Sequence, residues 1–319
     1  MKQAQDNTFL SLFMKNILKK PTGYRELIKG RTKCKREIEI REPPVPTESA
    51  QEQLDKLIGL ADVKREVKKL TNMALLQKKR VEAGKKIASS SMHLVFTGNP
   101  GTGKTTVARL LGKKLSEIGL LKKGHLIETD RAKLVGEYVG HTEKKVKDAV
   151  EQAMDGVLFI DEAYSLAGGE RDFGSIAIDT LIKLMEDNRD NLAVIVAGYT
   201  MPMKRFVAQN VGLQSRFTRY VTFEDYSASE LYDIFDLMIK SCEYKLNNEA
   251  IDKAKKILYN HWLTRDYHFG NGRDVRTFFE RAIELQAGRL IDSNEYDDLD
   301  TITENDIPDH LVLNITDTQ

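Results

Sequence analysis

Gly98-Asn99-Pro100-Gly101-Thr102-Gly103-Lys104-Thr105 is the stretch that decides the fold of this chain. It satisfies the pattern G-x-x-x-x-G-K-[ST] without a substitution, between an apolar run, Leu94-Val95-Phe96, and a helix-forming run, Thr106-Val107-Ala108-Arg109-Leu110-Leu111. A strand, a glycine-rich turn and a helix together aim successive backbone N–H groups at one anion, at a helix end that carries partial positive charge. Lys104 then reaches the β- and γ-phosphates, and the Thr105 hydroxyl sits on Mg²⁺. Gly98 through Thr106 are therefore read as the phosphate site for a nucleoside triphosphate.

Outward from this loop, short apolar runs alternate with helical periodicity. Strands are expected at 93–97, 125–129, 157–160, 192–198 and 219–223, with helices to about 117, from about 142, and over 175–187. Such alternation builds a parallel sheet with helices on both faces, and ligands of such sheets lie at the carboxyl ends of the strands. Before the loop, Ile58-Gly59-Leu60 leads into a helix with Leu60, Val63, Val67 and Leu70 on one face. Ile58 and Gly59 are candidate nucleotide contacts there. After Asp225 the pattern reads as all helical. Ser227-Ala228-Ser229-Glu230 has the form of a capping box, and further helices are expected at about 248–264, 273–290 and 303–311. The division is a segment over 1–50, an α/β domain over 51–225, and a helical domain with an acidic tail over 226–319.

The 319 residues carry a formal net charge of +1, unevenly spread. From Lys2 to Arg41 there are eleven Lys or Arg against four acids, and from Asp292 to Asp309 there are eight acids and no base. Both ends are read as solvated tails, with partner surfaces as the alternative. Phe9, Leu10, Leu12, Phe13, Ile17 and Leu18 suggest a short amphipathic segment, and Pro43, Pro44 and Pro46 read as a linker. Cys34 and Cys242 lie far apart and outside any metal-ligand spacing, which suits free thiols in a reducing compartment. No apolar run approaches the length of a membrane span, and the start lacks a signal-peptide pattern. A cytoplasmic protein without membrane insertion is expected.

Gly156-Val157-Leu158-Phe159-Ile160-Asp161-Glu162 reads as a buried strand ending in two acids. Carboxylates there need a partner, and Asp161 can orient the water shell of Mg²⁺ while Glu162 polarises the water that attacks the γ-phosphate. The pair follows Lys104 by 57 residues.

With these residues in view, the chain resembles the AAA+ ATPases, P-loop nucleotide hydrolases with a parallel α/β core and a helical lid. Within that family it resembles the subfamily of stage V sporulation protein K and the red-type Rubisco activase CbbX. The likeness is carried by Gly98–Arg109, Leu134–Thr142, Phe159–Leu166, Ala197-Gly198-Tyr199 and Gly212–Phe217, and spans roughly 54–290. The resemblance implies Mg-ATP hydrolysis, self-association into a ring, a hexamer in the family's manner, and a protein substrate whose identity it leaves open. Tyr138, Val139 and Gly140 match the aromatic-aliphatic-glycine loop that lines the family's central pore. Arg216 matches the arginine finger that acts with Lys104 and Glu162 in catalysis, with Arg219 as second candidate. Arg273 matches the arginine with which the lid reads the γ-phosphate, ahead of Arg276. The departure is at the end of the fourth strand, where Ala197-Gly198-Tyr199-Thr200 stands in place of the family's common Asn. Two other readings stay open: a nucleotide-dependent assembly switch that does not thread its partner, and a nucleic-acid-linked motor. Against the latter, the basic residues are not interleaved with stacking aromatics.

Overall fold

The computed structural model describes residues 48–311, except 87–90, 137, 139, 168–172, 267–268 and 295–296. The basic segment, its apolar stripe, Cys34 and Val139 lie outside the described residues. Five strands, β1 (Leu94–Gly98), β2 (Leu126–Thr129), β3 (Gly156–Ile160), β4 (Leu192–Gly198) and β5 (Arg219–Phe223), form one parallel sheet in the order β2-β3-β4-β1-β5. Every residue of β1, β3 and β4 is buried. That is why these strands read as continuous apolar runs and not as alternating ones.

Alternate residues of each strand go to opposite faces. Leu94, Phe96, Val157, Phe159, Ile195, Val221 and Phe223 face α2 (Ala61–Glu82) and α3 (Lys104–Glu117), through Val63, Val67, Val107, Leu111 and Leu115. Val95, Leu158, Ile160, Val194 and Val196 face α5 (His141–Ala153), α6 (Gly174–Asp187) and α7 (Thr200–Ala208). The Phe96 and Phe223 rings lie 5.0 Å apart. Each fully buried side chain of this size contributes about 1.5–3 kcal/mol.

Four short helices went unread in the sequence: α1 (Ala50–Asp55), α4 (Arg131–Leu134), α7 and α8 (Val211–Arg216). Each spans too few turns for a 3.6-residue period to stand out. α1 nevertheless carries a full capping box from Ser49 and Glu52.

The lid packs α9 (Ala228–Ser241), α10 (Asn248–Leu263) and α11 (Gly272–Ser293) around Phe235, Leu258, Val275, Phe278 and Ala282. Its first helix starts on the expected box, with Ser227 and Glu230 capping each other. Two expectations fail here. The lid is not wholly helical: β6 (Lys245–Leu246) and β7 (Thr301–Ile302) pair in parallel, and two-residue strands leave no periodicity to read. The helix expected over 303–311 is a single 3₁₀ turn, Glu304–Asp306, because Pro308 holds Ile307 extended at φ −84° and ψ 120°.

The acidic end is also more than a solvated tail. Asp306 is fully buried, and accepts from Arg289 Nε and Nη2 at 2.8 Å each and from the Thr303 backbone N–H at 2.8 Å. Burial opposes its charge, but the Arg289 and Thr303 bonds prevail and hold its carboxyl below the usual range. Asp309 pairs with Lys253 at 2.8 Å.

His93, just before β1, is buried and accepts the Val194 N–H at Nδ1 over 3.1 Å. Burial lowers its pKa to about 4. The unfolded imidazole, at about 6.5, takes its proton first, so stability is full above that value and falls as the pH drops toward 4. Urea unfolding at pH 7 and pH 4.5 should show the native protein losing about 2 kcal/mol more over this interval than His93→Gln. Equal losses in the two proteins would overturn the assignment of a neutral His93.

Candidate active site

β1 ends at Gly98 with φ 150°, where a Cβ would lie 2.2 Å from the Phe223 carbonyl oxygen on β5. The chain turns through Asn99 to Gly103 and enters α3. The Thr102 hydroxyl holds the turn by donating to the Asn99 carbonyl at 2.8 Å. α3 has Gly103 as N-cap at φ 92°, with no side chain capping it. Its first N–H groups therefore point into the loop as anion donors. Lys104 Nζ spans the loop, donating to the Gly98 and Asn99 carbonyls at 2.9 and 2.7 Å. Burial lowers its pKa; Asp161 opposes that shift, and the charge of Arg273 adds to it. One anion entering this loop would meet the helix end and a cation already held over it.

Asp161 and Glu162 emerge from the buried β3 at its carboxyl end, both exposed, on the same sheet edge as the loop. Glu162 sits in the left-handed region at φ 47° and ψ 41°, and its N–H donates to Asp161 Oδ1 at 3.0 Å. A non-glycine residue held there costs about 1–3 kcal/mol and is sustained by its surroundings. A cavity of about 820 Å³ opens beside the pair, lined also by Thr129, Asp130, Arg131 and Ser165. Thr105 and Thr106 lie on the first turn of α3, half-buried.

The lid closes the other side. Arg273 lies on the first turn of α11, and a Cβ on Gly101 would come within 2.7 Å of its backbone nitrogen. Ile58 and Gly59 stand in the turn before α2, where a Cβ on Gly59 would lie 2.2 Å from Glu230 Oε1 and 3.5 Å from the Tyr226 ring. That turn touches both the core and the lid. Arg276, one turn beyond Arg273, is exposed.

Sequence reading missed Asp225, Tyr226 and Asn271. Asn99 Nδ2 donates to both carboxylate oxygens of Asp225 at 2.9 and 3.0 Å, and Asn271 Nδ2 donates to Asp225 Oδ1 at 2.8 Å. The Tyr226 N–H donates to Asn271 Oδ1 at 2.9 Å, and burial raises the Tyr226 phenol to about 12. Only the Gly-Asn-Gly triplet at 270–272 hinted at an unusual backbone here.

Two expected groups stand apart from this cluster. Tyr138 is 65% exposed, with its ring 5.6 Å from His141, and Gly140 caps α5 at φ 87°. Arg216 ends α8 near the amino end of β5, where Arg219 pairs with Leu94 while Phe223 pairs with Gly98. Four residues of strand, about 13 Å, thus separate the level of Arg219 from that of the loop. Arg216 donates to the Gly212 carbonyl and the Ser215 hydroxyl at 3.3 and 3.2 Å, and lies 3.5 Å from Glu186. Arg219 turns toward α2, with Nη2 3.3 Å from Met73 Sδ. Tyr199 N-caps α7 beside the Tyr164 ring at 6.2 Å, and Thr200 follows it.

The family profile "ATPase family associated with various cellular activities (AAA)" matches residues 94–225, and an AAA lid domain profile matches residues 227–314. The chain is 46% identical to stage V sporulation protein K of Bacillus subtilis (strain 168), over 81% of each chain. It is 40% identical to protein CbbX of Cereibacter sphaeroides, over 80% of this chain and 84% of that one. It is 42% identical to the chloroplastic ribulose bisphosphate carboxylase/oxygenase activase of Cyanidioschyzon merolae, over 73% and 80%. Among solved structures, the FIGL-1 AAA domain in complex with ADP shares the fold at TM-score 0.55 and 19% identity, over 79% and 80% of the two chains. A Thermotoga maritima RuvB mutant shares it at TM-score 0.53 and 20% identity, over 79% and 69%. Two family models cover residues 94–225 and 227–314 and the relatives are matched along most of their own length, so the chain belongs to the AAA+ ATPases, as an ATP hydrolase of the stage V sporulation protein K and CbbX type.

Proposed function

We propose that this ATPase works as a closed ring, with six subunits as the expected size, and uses ATP hydrolysis to remodel or thread a protein through the ring's centre. The observation that carries this reading is the position of Arg216. It stands near the opposite edge of the sheet from its own phosphate loop, which supports a role in a neighbour's site over one in its own. Head-to-tail contacts of that kind form a ring when their rotation closes.

In each site, Gly98 through Thr106 with Lys104 would hold the phosphates, Ile58 and Gly59 would contact the nucleotide, and Thr105 and Asp161 would hold Mg²⁺. The exposed carboxylate of Asp161 and the hydroxyl of Thr105 are oxygen donors of the kind Mg²⁺ takes, on the same edge as the loop. When bound, the ion neutralises charge on the β- and γ-oxygens. Glu162 takes a proton from the water that attacks the γ-phosphorus, the bond to the bridging oxygen breaks, and ADP and phosphate are released. Arg216 of the adjoining subunit stabilises the developing charge, an effect worth about 10³–10⁵ in rate. Arg273 reports the γ-phosphate to the lid.

The exposure of Tyr138 supports a gripping role over a core-packing one, and Gly140 permits the turn that presents it. A protein substrate is further supported by the relative named as an activase of ribulose bisphosphate carboxylase/oxygenase. No helix among the described residues is long and apolar enough to cross a membrane.

Glu162→Gln should keep ATP binding and lower phosphate release by about 100-fold or more. Sedimentation of that variant should shift from small species to about six subunits on adding Mg-ATP; a monomer or dimer that binds ATP without assembling would favour the switch reading. Lys104→Ala and Arg216→Ala should each be inactive alone yet recover ATPase activity when mixed, because the first supplies the finger and the second the intact loop. No recovery would place Arg216 outside the neighbour's site. Tyr138→Ala should hold ATPase activity within about twofold while the captured protein is no longer unfolded. Equal loss of both activities would exclude the pore role.

A further inference from the structure

We propose that Asp225 and Asn271 are positioning residues that lock the phosphate loop to the lid and thereby set the reach of Arg273 toward the third phosphate of bound ATP. The inference rests on the reading of Gly98 through Thr105 as the phosphate site.

Asn271 is fully buried, and both ends of its amide are engaged. Nδ2 donates to Asp225 at 2.8 Å and to the Pro100 carbonyl at 3.3 Å, while Oδ1 accepts the Tyr226 N–H at 2.9 Å. The carboxylate of Asp225 is shared between this lid amide and the amide of Asn99 in the loop. One acid thus ties the loop to the lid, and it does so where the chain leaves β5 for α9. The Tyr226 hydroxyl adds a second tie, 3.4 Å from the Thr102 carbonyl.

The backbone of Asn271 points the same way. At φ 52° and ψ −126° it adopts a conformation suited to glycine, with glycines on both sides at 270 and 272. An asparagine held in that strained geometry is there for its side chain, since a glycine would satisfy the backbone alone.

The lock leads directly to Arg273. The Gly272 N–H donates to the Gly101 carbonyl at 3.2 Å, and a Cβ on Gly101 would lie 2.0 Å from the Gly270 carbonyl oxygen. Loop and lid meet backbone to backbone, one residue before Arg273. A loop that shifts without its lid would carry the phosphates away from that guanidinium. Arg273 already lies close enough for its charge to bear on Lys104. ADP lacks the phosphate that Arg273 would meet, so a broken lock should weaken ATP binding and spare ADP binding.

The test is competition of a non-hydrolysable ATP analogue and of ADP against a fluorescent nucleotide, on the full chain. Asn271→Gly removes the amide and suits the backbone; Asp225→Leu keeps the branched shape and removes both acceptor oxygens, and serves if the first variant misfolds. Each should weaken the analogue by about tenfold, the loss of one charge-assisted hydrogen bond, and leave ADP within about twofold. Adding Arg273→Ala to Asn271→Gly should cause no further loss, because the two act in series. An equal fall for both nucleotides, additive losses with Arg273→Ala, or no change would each overturn the proposal. Unaltered nucleotide binding in Lys104→Ala would instead overturn the phosphate-site reading, and the inference with it.

Discussion

A parallel strand buried on both faces has no solvent to satisfy its ends, so its chemistry must gather where the strands stop. Here β1 lies between β4 and β5, and all five strands run the same way. Their carboxyl ends therefore open on one edge. Gly98, Asp161 and Tyr199 each follow or end a buried strand on that edge, although they come from distant parts of the chain. Packing on the two faces, with Phe96 and Phe223 on one and Val95 and Ile160 on the other, holds the strands in register. The distance between loop and acids is then a property of the sheet and not of flexible loops.

Part of the strained backbone lies on the same edge. Of the six non-glycine residues with positive φ among the described residues, Leu60 and Asn271 border the phosphate loop and Glu162 follows β3 at its carboxyl end. Gly98 and Gly101 add positions where no Cβ fits, against Phe223 on β5 and against Gly270 in the lid. Such strain is sustained only by rigid surroundings. The rigidity comes from the core on one side and from the buried amide and carboxylate contacts of Asn99, Asp225 and Asn271 on the other.

The polarity of the sheet also separates two groups of charged residues. Lys104, Asp161 and Glu162 share the carboxyl edge, whereas Arg216 lies beyond the amino end of β5, where it bonds with Gly212 and Ser215 and lies 3.5 Å from Glu186.

Much of this was legible from residues alone. The loop at 98–105 is specific because only that combination of glycines, lysine and threonine suits a phosphate at a helix end. Central strands were readable because burial on both faces makes them uniformly apolar, and the Ser227 cap because its chemistry is local. What sequence left out depends on contacts between distant segments. Asp225 and Asn271 carry no motif, and their role exists only because β5 and α11 converge on Asn99. Asp306 reads as one more acid in an acidic tail, and only the fold buries it against Arg289. Local patterns determine which elements form and which residues can bind a phosphate. Only the tertiary structure decides which charges are buried and which loops are joined, because burial and pairing between remote residues leave no period or spacing in the chain.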